Sequence, residues 1–257
     1  MILIIGLKPK VVPMTSAARW PGIIICAFLP GLTVSSPVLA DDLQDCRTAP
    51  APEKRIASCT LVIASPSGLA DEDRYAVFVQ RASAYYSTGE FARAIADYSR
   101  AIEVRPRSAN AYDRRGVAHR KLGQADKAIA DHTRATELKP TMAKAYRNRG
   151  LAHFFKGDTA LAIADYSHAI KLDPNYANSY DNRGAAYEQL GRYREAIADH
   201  STIIALMPRN ADAYTNRGYA YQLNGQRNKA ISDYRKALSL NPGQVQAREN
   251  LRSLTGG

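Results

Sequence analysis

The chain is poor in the residues that carry most covalent, redox and metal chemistry. It has three cysteines in 257 residues and one tryptophan. It contains no Cys-x-x-Cys pair, no His-Glu-x-x-His, no glycine-rich phosphate loop and no Gly-x-Ser-x-Gly elbow. An enzyme reading therefore has no catalytic constellation to stand on, and no cofactor or metal is expected. Long apolar runs are also lacking. The longest candidate, Ile23 to Leu29, is interrupted soon after by Pro30, Gly31 and Pro37, which argues against a permanent membrane span.

Acids are missing from residues 1–40, which hold Lys8, Lys10 and Arg19. The apolar run follows these charges, and Val38-Leu39-Ala40 closes the segment with small residues where a signal peptidase reads. This layout predicts a secretory leader over 1–40, with Met14 the better start; a retained anchor is the alternative. Cys26 follows Ile23-Ile24-Ile25 rather than small residues, which argues against lipidation. An exported chain, periplasmic or secreted, is the expectation. Two cysteines then remain, Cys46 and Cys59, and an even count in an exported chain suggests a disulfide; two free thiols are the alternative.

What is present in quantity is alanine, tyrosine, and charge of both signs. Residues 41–257 carry 32 basic against 24 acidic groups, net +8. Residues 41–74 are net −3, and the segments 75–108, 109–142, 143–176, 177–210 and 211–244 are net +2, +3, +2, 0 and +3. Charge spread in this way suits solubility better than a dedicated nucleic-acid surface.

Those five segments are copies of one another. "RRGVAHRKLG", "NRGLAHFFKG", "NRGAAYEQLG" and "NRGYAYQLNG" recur every 34 residues, and so do "RAIADYSRAI", "KAIADHTRAT", "LAIADYSHAI", "EAIADHSTII" and "KAISDYRKAL". Position 4 of each copy is aromatic (Phe78, Tyr112, Tyr146, Tyr180, Tyr214). Position 8 is Ala82 and then Gly116, Gly150, Gly184 and Gly218. Position 20 is always Ala, from Ala94 to Ala230, and position 32 is always Pro, from Pro106 to Pro242. Apolar positions 4, 8 and 11 share one helical face, as do 20, 24 and 27 of a second helix. Gly89, Gly123, Gly157, Gly191 and Gly225 fall where the first helix, helix A, must end, and the prolines fall where the second, helix B, must stop.

This pattern resembles the tetratricopeptide repeat. It departs from that family at Ile203, where position 27 is normally Ala, and in carrying Arg at position 7, where the family average is Leu. The resemblance implies an all-α fold: a right-handed α-solenoid of five helix-turn-helix hairpins over 71–244, each covering the apolar face its neighbour leaves bare. The segment 41–70, with a helix over Glu53 to Ala64, reads as an N-terminal cap tied by the cysteine pair. Residues 245–257 read as a C-terminal capping helix and tail.

Two charged positions are also invariant across the five copies. Position 7 is Arg81, Arg115, Arg149, Arg183 and Arg217, and position 23 is Asp97, Asp131, Asp165, Asp199 and Asp233. An Arg–Asp ladder where helices A and B meet explains both, because the planar guanidinium suits bidentate pairing. An anion-binding stripe is the alternative. The five histidines sit inside the repeats. His119 and His153 at position 11, and His132 and His200 at position 24, replace packing aromatics, and His168 falls on a helix surface.

In the family, helix-A positions 2, 5, 9 and 12 face the concave groove. The candidate partner-binding residues are therefore Arg120 in repeat 2; Lys144, Arg147, Leu151 and Phe154 in repeat 3; Asn178, Asp181 and Glu188 in repeat 4; and Tyr219 in repeat 5. Asp113 shares this face in repeat 2. Position 9 is Val117, Leu151, Ala185 and Tyr219 in repeats 2–5, not the Asn of the subclass that grips chaperone C-termini, so that activity is not expected. Leu151 and Phe154, joined by Phe155 and flanked by Arg120, Lys144 and Arg147, suggest a binding hot spot. The bland alternative packs Phe154 on a neighbouring repeat and Phe155 on its own helix turn. The expected function is a non-enzymatic scaffold holding a peptide or helix of another protein in the groove. A salt-sensitive binder of an anionic polymer or surface, and a self-assembling spacer, are the rivals.

Overall fold

The structure, a computed structural model, describes residues 37–65 and 69–256. Of the expected leader only 37–40 lies among them. The described residues form thirteen helices and no strand. A first hairpin pairs α1 (Pro37–Thr48) with α2 (Pro52–Ala64). Five more follow: α3 (Asp71–Ser87) with α4 (Phe91–Val104), α5 (Ala109–Lys121) with α6 (Ala125–Leu138), α7 (Ala143–Lys156) with α8 (Thr159–Leu172), α9 (Ala177–Gln189) with α10 (Tyr193–Leu206), and α11 (Ala211–Leu223) with α12 (Arg227–Leu240). The last helix is α13 (Val245–Thr255). None of the described helices is long and apolar enough to cross a membrane.

Each helix packs on the next along the chain. Substantial contacts between alternate helices join odd-numbered ones: α1 with α3, α5 with α7, α7 with α9, and α11 with α13. The A helices α5, α7 and α9 thus sit side by side along one face.

The sequence period explains the hairpin. Helix A ends at a glycine with positive φ in every repeat, 94° at Gly157, a conformation that costs other residues strain. Helix B ends two residues before each proline. Inside the hairpins of repeats 2–5 the helices approach so closely that the glycine at position 8 has no room for a side chain. A Cβ on Gly150 would meet Tyr166 Cε1 at 2.7 Å, and one on Gly116 would meet His132 Cε1 at 2.8 Å. The Ala94, Ala128, Ala162, Ala196 and Ala230 methyls are fully buried at the same junction.

The N-terminal cap holds one helix more than the reading of 41–70 anticipated. Residues 37–48 are helical, and Leu43 and Cys46 pack with Cys59, Val62 and Val77. Cys46 and Cys59 are buried and joined by a disulfide that ties α1 to α2. At the other end, Ala247, Leu251 and Leu254 of α13 cover Tyr234 and Ala237 of the final hairpin.

Candidate functional site

The position-7 arginines and position-23 aspartates meet inside every hairpin. Arg149 donates from Nε and Nη2 to Asp165 Oδ2 and Oδ1 at 2.8 and 2.6 Å. The pairs Arg81–Asp97, Arg115–Asp131, Arg183–Asp199 and Arg217–Asp233 repeat that fork within 2.7–2.9 Å. The hydrogen bonds to aspartate outweigh burial and hold each guanidinium above its ordinary pKa. A third nitrogen reaches back to the preceding helix B: Arg115 to Ser99 at 2.9 Å, Arg149 to Thr133 at 3.4 Å, Arg183 to Ser167 at 2.9 Å and Arg217 to Ser201 at 3.3 Å. Arg81 does the same to Thr60 of α2 at 3.0 Å, so the first hairpin docks as a repeat would. Each of the five guanidiniums thus links its own hairpin to the helix before it.

The groove candidates lie on the A helices, in varied states. Arg120, Arg147, Leu151, Phe154, Asp181 and Glu188 are half-buried, and Lys144, Asn178 and Tyr219 are exposed. Leu151 and Phe154 pack on Tyr166 and Ala186 and remain half-exposed. Phe155 is 66% exposed, with the Arg120 guanidinium over its ring at 5.4 Å. In repeat 4 the acids are engaged internally. Asp181 accepts from Asn216 at 2.9 Å, and Glu188 lies 3.2 Å from His200 Nε2.

One expectation is corrected. Asp113, assigned to the groove face by its position, is 1% exposed. Its Oδ1 accepts from Asn148 Nδ2 at 2.9 Å, and His132 Nδ1 lies 3.0 Å away without the alignment of a hydrogen bond. Burial works to raise this carboxyl. His132, Asn148 and Lys144, the last 3.8 Å away, outweigh that and hold it below the usual carboxylate range. The signal was present but unread: repeats 2 and 4 pair Asp at position 5 with His at position 24, while repeats 1, 3 and 5 carry Tyr98, Tyr166 and Tyr234 there. His132 and His200 fill the tyrosine's buried place, and His168 is exposed and lies against Tyr146 with ring centres 4.1 Å apart. His119 bonds Gln124 at 2.7 Å.

Two tetratricopeptide-repeat family models match residues 109–142 and 211–244, and a TPR-repeat model matches 82–123, 154–191 and 189–225. The chain belongs to the tetratricopeptide-repeat family. Solved structures of other tetratricopeptide-repeat arrays superimpose on it. The MamA protein is 25% identical, over 68% of this chain and 96% of that one, with a TM-score of 0.60. YrrB, described as a TPR protein with an unusual peptide-binding site, is 22% identical over 74% and 96%, with a TM-score of 0.58. TTC0263 of Thermus thermophilus, described as a thermophilic TPR protein, is 21% identical over 72% and 98%, with a TM-score of 0.55. No curated protein matches the sequence of this repeat array.

Proposed function

We propose that this array is a non-enzymatic scaffold of the cell envelope or secreted space that holds a segment of another protein on its A-helix face, centred on repeat 3. The observation that carries this is the half-exposed Leu151–Phe154 pair beside Arg120, Arg147 and Lys144. Apolar anchors ringed by cationic side chains concentrate binding energy in protein interfaces. A TPR protein of the same fold, YrrB, is described as having a peptide-binding site. The leader-like residues 1–40 and the buried Cys46–Cys59 disulfide support an oxidising, exported setting.

The test is capture of partners by the native full chain and by Phe154→Ala, with melting midpoints measured alongside. The groove reading predicts that a folded Phe154→Ala protein loses its main partner. Retention of every partner by that folded variant contradicts it, and a salt-sensitive attachment to any polyanion would favour the anionic-polymer rival.

A further inference from the structure

Exposed apolar side chains recur where helix A turns into helix B. Leu122, Phe155, Leu190 and Leu223, one in each of repeats 2–5, stand exposed at the end of helix A. Leu161, in the first turn of α8, adds a second in repeat 3. Phe155 and Leu161 are the most open of the five, at 66% and 54%. The turns adjoin one another. The Arg120 guanidinium lies over the Phe155 ring, Lys156 pairs with Asp126 at 2.8 Å, and Thr159 donates to Gln189 at 3.2 Å. The A-to-B turns of repeats 2, 3 and 4 therefore form one continuous edge.

The same edge is cationic. Positions 13–19 of repeats 2–5 hold seven basic and three acidic groups, against three and two at positions 29–34, where the B helices end. The three acids are already matched. Lys156 lies 2.8 Å from Asp126 and 3.9 Å from Asp158, and Arg192 lies 2.8 Å from Glu195. Lys121, Lys127, Arg194 and Lys229 are exposed and have no ion pair among the described residues. The charge left over beside the apolar tips is therefore positive.

Apolar tips flanked by long cationic side chains suit a surface that rests on a bilayer. The tips enter the acyl boundary, and the flexible stems keep their charges among the headgroups. One or two tips per turn match a fluid surface that closes round each of them. A second copy presenting the same edge would set cation against cation, which repulsion opposes. We propose that the A-to-B turn edge of repeats 2–5 docks the array on an anionic phospholipid surface. Leu122, Phe155, Leu161 and Leu190 insert, and Lys121, Lys127 and Arg194 meet the phosphates. This goes beyond the groove reading: the edge holds the array at a membrane while the A-helix face takes its partner.

The test is co-sedimentation of the full chain with vesicles of phosphatidylglycerol and of phosphatidylcholine, with the melting midpoint of every variant measured alongside. Wild type should bind the anionic vesicles and bind the zwitterionic ones far less. Phe155→Ser combined with Leu161→Ser should weaken binding about tenfold or more, the partition lost with two exposed apolar side chains. Lys121→Gln and Lys127→Gln should each weaken it about fivefold. Leu206→Ser combined with Met207→Ser, where α10 ends at the opposite edge, should leave it unchanged. Residues 1–40 are common to every variant, so the differences report the edge. The two lysine variants break no ion pair and carry the reading if the apolar pair lowers the midpoint. No binding to anionic vesicles overturns the proposal, as does binding that all the edge variants keep in full. Soluble polyphosphate bound as tightly as the vesicles, and indifferent to the loss of Phe155 and Leu161, would leave a purely electrostatic surface and overturn insertion. An acidic protein captured through Phe155 and Leu161, with no vesicle binding, would make this edge a protein interface and overturn the lipid surface.

Discussion

At the scale of single residues, the stack depends on the matching of buried charge. Asp165 is nearly buried and takes both arms of the Arg149 fork. Asp165→Ala leaves that guanidinium half-buried and unpaired, and we expect a loss of about 2–4 kcal/mol, read as a lowered denaturation midpoint. An unchanged midpoint would remove the ladder as a structural element. The ladder was legible because two residue types recur at two positions in all five copies. The Asp113–Asn148–His132 group was not, because its members come from two repeats and its Asp–His pairing recurs in repeat 4 but not in its neighbours. The Asn at position 6 was visible in the recurring "NRG" triplet, yet its partner lies 35 residues earlier, on another helix.

At the scale of helices, the ends were readable and one whole element was not. Glycine and proline mark where A and B helices stop, and α3 begins at Asp71 and α13 at Val245 as their sequences predict. Helix α1 escaped because its first residues read as a peptidase site and the prolines at 50 and 52 read as a loop. The period was there: Leu43 and Cys46, three residues apart, fall on one face. Processing after Ala40 would shorten α1 by its first turn and leave Leu43 and Cys46 in place. The disulfide joins two helices across 13 residues, so replacing Cys46 and Cys59 by Ser should cost about 2–3 kcal/mol on the chain-entropy account. Hydrogen exchange should show the loss in α1 and α2, with α5 to α12 keeping their protection. A uniform loss along the array would mean that the first hairpin is part of one cooperative unit.

At the scale of the molecule, the core is made largely of alanine and glycine contacts that bring helices close but bury little apolar area each. Stability in such an array accumulates from neighbour to neighbour, and the Arg–Ser and Arg–Thr bridges between repeats add polar links at each step. The last hairpin breaks that link: position 25 is Arg235 where earlier repeats have Ser or Thr, and α13 carries Leu251 where the repeats have Arg. The step from α12 to α13 therefore lacks the polar link that joins the repeats. Its A-helix face carries, in repeat 3, the half-exposed Leu151 and Phe154 beside Arg120, Arg147 and Lys144. The most direct measurement is site-specific photocrosslinking of the full chain in its native setting, with the reactive residue at Leu151 on α7 or at Ala164, exposed on α8. A polypeptide trapped from position 151 and absent from 164 is the predicted result. Equal trapping from both, or from 164 alone, would contradict a partner seated on the A-helix face.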